Sequence, residues 1–249
     1  MRPYMLAGNW KMNMNVTEAC ALSRALAAVK IPEGRQVMIA PSFVCLNPVF
    51  SEIKNSAVKL GCQNFYHEEK GAFTGEISSD MLKSTGVSHI IIGHSERRAI
   101  FGETNELINK KVKKALEKGF TAVLCCGETL QEREKNIQNN IVEQQISEGL
   151  VQIPENMLER LIIAYEPVWA IGTGKTASPG DAEAMHLFIR SLIEKLYSKK
   201  TAAELQILYG GSVTEKNVDE LMAMPDIDGG LVGGASLKAD IFTRIIQFK

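Results

Sequence analysis

The sequence predicts one closed (β/α)8 barrel, and three observations lead to it. Short apolar runs recur along the 249 residues, each continuous rather than alternating, as strands covered on both faces should be. Amphipathic helical stripes lie between them, and eight such units average roughly 31 residues, the size of a strand-helix repeat. Polar or glycine-rich residues follow almost every run, as they would around a ring. An open doubly wound sheet, the rival architecture, would gather them at one switch point. No linker or low-complexity segment interrupts the pattern, so residues 1–249 are expected to form a single domain.

Composition narrows the function classes. Lys and Arg number 28 against 29 Asp and Glu, and no basic cluster is interleaved with aromatics, so nucleic acid is not an expected partner. The five cysteines are irregularly spaced and read as reduced thiols; adjacent Cys125 and Cys126 are expected to pack as small hydrophobes. No run approaches the length of a membrane span, and the first residues lack a leader pattern, so a cytoplasmic protein is expected. There the Asn15-Val16-Thr17 sequon would be idle.

The predicted strands are Met5–Ala7, Val37–Ala40, Val58–Leu60, Ile90–Ile92, Ala122–Cys125, Leu161–Ala164, Ile207–Tyr209 and Leu231–Val232. Between them, helical stripes are formed by Leu22, Leu26 and Val29; by Leu107, Ile108, Val112 and Leu116; by Ile137, Ile141 and Ile146; and by Met185, Phe188, Ile189, Leu192 and Leu196. Strand exits are where a barrel keeps its chemistry.

The first strand exits into Asn9, Trp10 and Lys11. The lysine is either solvated or a charge offered to an anionic substrate. Gln63 and Asn64 follow the third strand, and then a loop longer than a barrel needs carries Phe73, Thr74, Gly75 and Glu76. It is either packed on itself or projects into a partner subunit. The fourth strand exits into His94, with Ser95 placed to cap a helix; that helix end disfavours a protonated ring. A neutral imidazole there is either structural or a donor to a carbonyl oxygen. The other histidines, 67, 89 and 186, show no metal-ligand spacing with it, so no metal is expected.

The sixth strand ends at Pro167 and leaves the carboxylate of Glu166 at its exit. Pro167, Val168, Trp169, Ala170, Ile171, Gly172, Thr173, Gly174 and Lys175 then read as a lid: stiff and apolar first, permissive at its far end. An ordinary surface loop is the alternative, at the cost of leaving Trp169 and Ile171 in water. Two nucleotide-like patterns in this stretch fail on placement. Gly172 lies well past the strand rather than in its turn, and a P-loop's leading glycine would fall on Trp169. The last two strands exit into Gly210-Gly211-Ser212 and Gly233-Gly234, which serve tight turns or offer backbone N–H groups to a phosphate.

Six stretches in this order carry a close resemblance to the triosephosphate isomerase family over essentially the whole chain. They are Ala7–Asn13, Gly71–Ser78, Ile92–Arg98, Ala164–Lys175, Tyr209–Val213 and Gly233–Leu237. The resemblance implies interconversion of dihydroxyacetone phosphate and D-glyceraldehyde 3-phosphate, in glycolysis and gluconeogenesis, with neither metal nor organic cofactor. It makes Glu166 the base, His94 the neutral electrophile, Lys11 the positive charge and Asn9 a further hydrogen bond. It puts the phosphate on the backbone N–H groups of Gly172, Ser212, Gly233 and Gly234. Closure of the lid would press Ile171 and Leu231 against Glu166 and shield an enediolate that otherwise eliminates its phosphate. It also implies a homodimer, with Thr74 near the partner's Asn9, Lys11 and His94, and Glu76 near the partner's Arg97.

Gln206, Cys126 and the Asp181-Ala182-Glu183 helix start depart from the family pattern without touching these groups. Two other readings remain. A silent barrel that binds a phosphate ligand or serves a structural role would be expected to have lost Glu166, His94 or Lys11. A Schiff-base aldolase would need Lys11 desolvated and neutral.

Overall fold

The computed structural model describes residues 2–170 and 177–249. Eight strands run in chain order: β1 (Tyr4–Asn9), β2 (Arg35–Ala40), β3 (Val58–Cys62), β4 (His89–Ile92), β5 (Thr121–Cys126), β6 (Leu161–Tyr165), β7 (Gln206–Tyr209) and β8 (Gly229–Val232). All pair in parallel, each with its sequence neighbours, and β8 returns to β1 through Met5↔Gly229 and Ala7↔Leu231. The barrel is closed, as expected.

The connections are helical: α1 (Val16–Ala27), α2 (Leu46–Ile53), α3 (Ser79–Ser84), α4 (Ser95–Phe101), α5 (Asn105–Glu117), α6 (Leu130–Glu134), α7 (Gln138–Gly149), α8 (Pro179–Leu196), α9 (Lys199–Glu204), α10 (Val218–Met222) and α11 (Ala239–Ile246). Local chemistry starts them. Asn15 and Glu18 form a reciprocal capping box at α1, so the sequon asparagine spends its side chain on the helix. Ser178 caps α8, and Pro179 occupies its first position, where a missing N–H costs nothing.

Continuous apolar strands are explained by two cores on opposite faces of the sheet. Alternate residues point inward to fill the barrel: Met5, Ala7, Met38, Ala40, Ile91, Val123, Cys125, Ile162, Ala164, Leu208 and Leu231. The residues between them, such as Leu161, Ile163 and Tyr165 of β6, face the helices. This period of two decides the site, because the next inward position beyond Ala164 is Glu166 and the next beyond Ala7 are Asn9 and Lys11.

The helical stripes need small corrections. α1 stops at Ala27, so Val29 packs from the loop beyond it. Ile137 precedes α7, where Val142 and Ile146 carry the burial. In α8 the buried line runs through Ala182, Met185, His186, Ile189, Leu192 and Ile193, while Leu196 at the last turn is exposed. Cys125 and Cys126 are buried, and desolvation pushes both thiols up, away from reactive thiolate. Among the described residues no helix is long and apolar enough to cross a membrane.

Candidate active site

At the carboxyl-terminal mouth of the barrel, a pocket of about 360 Å³ is lined by Asn9, Lys11, His94, Glu166, Ser212, Leu231, Gly233 and Gly234. These come from the exits of β1, β4, β6, β7 and β8, so residues far apart in sequence converge because the strands end at one rim. A larger cavity, about 1110 Å³, opens at the opposite end beside Gln36, Lys59, His89 and Thr121. It holds none of the candidate groups, and strand exits, not volume, identify the site.

Glu166 is 1% exposed. Its Oε2 accepts from the Ser95 backbone N–H at 2.9 Å, and its Oε1 lies 2.9 Å from His94 Nε2. Burial alone would raise this carboxyl. The charge and hydrogen bond of His94, the Ser95 N–H and the charge of Lys11 outweigh it, and the group is held below its ordinary value. Two glycines make room for it: a Cβ on Gly210 would lie 2.8 Å from Glu166 Cγ, and one on Gly127 would lie 1.7 Å from the Glu166 carbonyl oxygen.

His94 itself caps α4, with non-helical φ −51 and ψ 142. This corrects the expectation for Ser95, which is the first helical residue and sends its N–H to Glu166 instead. The Glu96 backbone N–H donates to His94 Nδ1 at 3.2 Å, so that nitrogen keeps its lone pair and the ring carries its proton on Nε2, facing Glu166. Burial lowers the ring, but the neighbouring Glu166 carboxylate raises it further, and the net direction in this conformation is upward. That push depends on contact. Without the Glu166 carboxylate, burial, the Lys11 charge and the helix end would favour the neutral ring, opposed by Glu96.

Lys11 reaches the pocket from a strained backbone, with φ +52, where few residues other than glycine or asparagine sit. Its Nζ pairs with Glu96 Oε1 at 2.6 Å. Its N–H donates to Asn9 Oδ1 at 3.1 Å, and its carbonyl accepts from Gln63 Nε2 at 2.8 Å.

Of the predicted lid, Pro167–Ala170 are described; Ile171, Gly172, Thr173, Gly174 and Lys175 lie outside the described residues. The described part is tied down. Val168–Ala170 form one 3-10 turn. The Trp169 indole N–H donates to Glu128 Oε1 at 2.9 Å, and the Tyr165 hydroxyl donates to the same carboxylate at 3.0 Å. Arg133 pairs with Glu128 at 3.2 Å and lies over the Trp169 ring, 5.2 Å from its centre. Ser212 Oγ donates to the Ala170 carbonyl at 2.7 Å, which links the turn after β7 to the base of the lid.

Phe73, Thr74, Gly75 and Glu76 are not in the pocket. They lie exposed in the loop after β3, where Phe73 leans on Tyr66 at 4.8 Å between ring centres. Sequence reasoning missed Glu96 as a partner of Lys11, Glu128 as the anchor of the lid, and Gly210 as the space for Glu166. Glu128 stands in the sequence as a charge at the exit of β5, whereas Gly210 reads there only as part of a tight or phosphate-binding turn. Among the described residues no group of His, Cys, Asp and Glu is arranged to hold a metal ion.

Together the pocket offers a buried carboxylate, an imidazole N–H, a fixed cation and glycine-rich turns, which is equipment for moving a proton next to a carbonyl in an anionic substrate. Comparison with known proteins agrees. The sequence pattern of the family described as triosephosphate isomerase matches residues 4–249. The triosephosphate isomerase of Endomicrobium trichonymphae is 49% identical over 249 residues, covering 100% of this chain and 99% of the relative. Those of Carboxydothermus hydrogenoformans and Chloroherpeton thalassium are 50% and 47% identical, each covering 99% of this chain and 99% of the relative.

Proposed function

The chain belongs to the triosephosphate isomerase family and is an isomerase of triose phosphates; from that premise we propose how its residues divide the reaction. Glu166 takes a proton from the carbon beside the carbonyl and returns it to the neighbouring carbon. His94, neutral, donates its Nε2–H to the carbonyl oxygen and carries protons between the two oxygens of the enediolate. Lys11 supplies positive charge to the developing oxyanion and to the phosphate, and Asn9 adds a hydrogen bond.

The phosphate sits on backbone N–H groups of Ser212, Gly233 and Gly234, with Gly172 from the lid. Leu231, already in the pocket wall, and Ile171 clamp the base on closure, so that desolvation turns a carboxylate now stabilised by Ser95 and His94 into a stronger base. The observation that carries this reading is the convergence of Glu166, His94, Lys11 and Asn9 in one pocket with the three described cradle residues.

The wider reading treats residues 1–249 as one barrel domain of a cytoplasmic homodimer that works without cofactor, in gluconeogenesis as well as glycolysis. Its substrate is a triose phosphate, not nucleic acid. The loop carrying Phe73, Thr74, Gly75 and Glu76 enters the partner's side of the mouth, with Thr74 approaching the partner's Asn9, the partner's Lys11 and the partner's His94, and Glu76 approaching the partner's Arg97.

The test of the base is a coupled isomerisation assay on the native chain and Glu166→Asp. Retracting the carboxylate by one methylene leaves the cradle intact, so kcat is expected to fall by about 10²-fold or more at similar KM. A variant with nearly native kcat would remove Glu166 from the role.

A further inference from the structure

We propose that Gln63 is a positioning residue that holds Lys11 in its working conformation, an inference that rests on the role given to Lys11 above. Lys11 has φ +52. A lysine gains nothing locally from that region, because its Cβ crowds the carbonyl and its side chain lacks the short polar group that lets asparagine tolerate it. The surroundings must impose it.

Three contacts do so. Asn9 accepts from the Lys11 N–H, Glu96 pairs with its ammonium, and Gln63 Nε2 donates to its carbonyl at 2.8 Å. Asn9 and Glu96 grip the nitrogen at each end of the residue, and among the described residues Gln63 grips its carbonyl. The same Gln63 amide donates to the Ala40 carbonyl at 2.9 Å, at the end of β2. Ala40 in turn accepts the Trp10 N–H at 3.2 Å. One NH2 group therefore staples the turn after β1 to the neighbouring strand. Two carbonyl acceptors can be met only by the amine end of the side chain, so the amide orientation follows from its partners.

The barrel register explains why Gln63 is available. Lys59, Gly61 and Gln63 alternate on β3 and its extension, and Gly61 faces inward toward Met38, where an added Cβ would lie 2.4 Å from the sulfur. Gln63 is the next inward position, at the rim beside β2 and β1. Without its donors, the Lys11 carbonyl is free to rotate, the residue relaxes toward negative φ, and the ammonium leaves the wall beside Gly233.

The experiment uses the full chain with three replacements, Gln63→Met, Gln63→His and Gln63→Glu, each also made in a Lys11→Met background. Fold and oligomeric state are checked by circular dichroism and sedimentation. Kinetics and the Kd of glycerol 3-phosphate, a probe with the phosphate but no carbonyl, are measured. Methionine keeps length and packing but donates nothing. It is expected to lower kcat/KM by about 10- to 100-fold and to weaken the probe about tenfold. Glutamate, which aims an acceptor at two carbonyls, is expected to lose more, and histidine, which keeps one N–H at similar reach, less.

In the Lys11→Met background the same changes should weaken the probe less than about twofold, because the residue they position is gone. Equal losses in both backgrounds would make Gln63 merely structural and overturn the proposal, as would native kinetics in Gln63→Met. If that variant does not fold, the histidine and glutamate pair decides by the same comparison. If Lys11→Met itself keeps native kcat/KM, the failure lies with the role of Lys11 rather than with its positioning.

Discussion

Glu166 was legible from one local argument: an apolar run stops at a proline with a carboxylate at its exit; that the carboxylate points inward after Ile162 and Ala164 is visible only in the folded barrel. What the linear sequence hides is the space it needs. Gly210 lies 44 positions on, and only closure of the barrel through Ala164↔Leu208 and Tyr165↔Tyr209 sets it against the base. A Cβ there would meet Glu166 Cγ at 2.8 Å and the Tyr165 carbonyl at 3.0 Å, and the strand backbone cannot yield because the Gly210 N–H donates to that carbonyl at 2.7 Å. Gly210→Ala is therefore expected to displace the carboxylate, lowering kcat about 10- to 100-fold while KM changes by less than about threefold. Overpacking should cost about 1–3 kcal/mol of stability, read by urea titration. Unchanged kcat would mean that Glu166 works elsewhere than beside Gly210.

At the scale of elements, α8 shows where pattern reading falls short. Its apolar residues correctly announce a helix, yet the centre of its buried face includes His186, which a hydrophobic count passes over. The ring packs edge-on to Tyr165 at 6.0 Å and tilted to Tyr209 at 6.4 Å, from the outward faces of β6 and β7. Its Nδ1 bonds the Asp226 carbonyl at 3.2 Å, so the proton is on Nδ1 and the buried Nε2 finds no partner among the described residues. Burial pulls its pKa down to about 3, more than the Asp226 carbonyl restores. Below the ordinary histidine value of about 6.5 the unfolded chain takes up a proton that the folded chain refuses until about pH 3. Stability contributed by this group is thus present above pH 6.5 and lost as pH falls toward 3, by an amount on the order of 4 kcal/mol. His186→Gln, which keeps a donor and cannot titrate, should flatten the fall of urea midpoint between those limits. Parallel slopes in the two proteins would show that other groups drive it.

At the scale of the molecule, the architecture was the most legible feature, because eight repeats each declare a strand and a helix and only one closed arrangement accommodates them at this length. The exposed apolar side chains were not, since exposure has no local signature. Met12 follows β1, Phe43 and Val44 follow β2, Phe73 follows β3, and Ile100 and Phe101 lie in α4 after β4; all are exposed, Met12 at 96% and Val44 at 76%. Four consecutive strands put them on one half of the rim, beside the exits that carry Lys11 and His94. Apolar surface gathered in this way is costly to leave in water and marks this half of the rim as a place for a partner. The dimer proposed above would place a second copy there, with the loop bearing Phe73 and Thr74, on the same half, directed at the other mouth. Sedimentation is expected to give twice the chain's mass at micromolar concentration. Thr74→Arg, which drives a long charge into that contact, should shift the population to monomers and reduce kcat/KM by more than tenfold. A monomer with native kcat/KM would leave the loop a self-packed ornament of the barrel and the site complete within one chain.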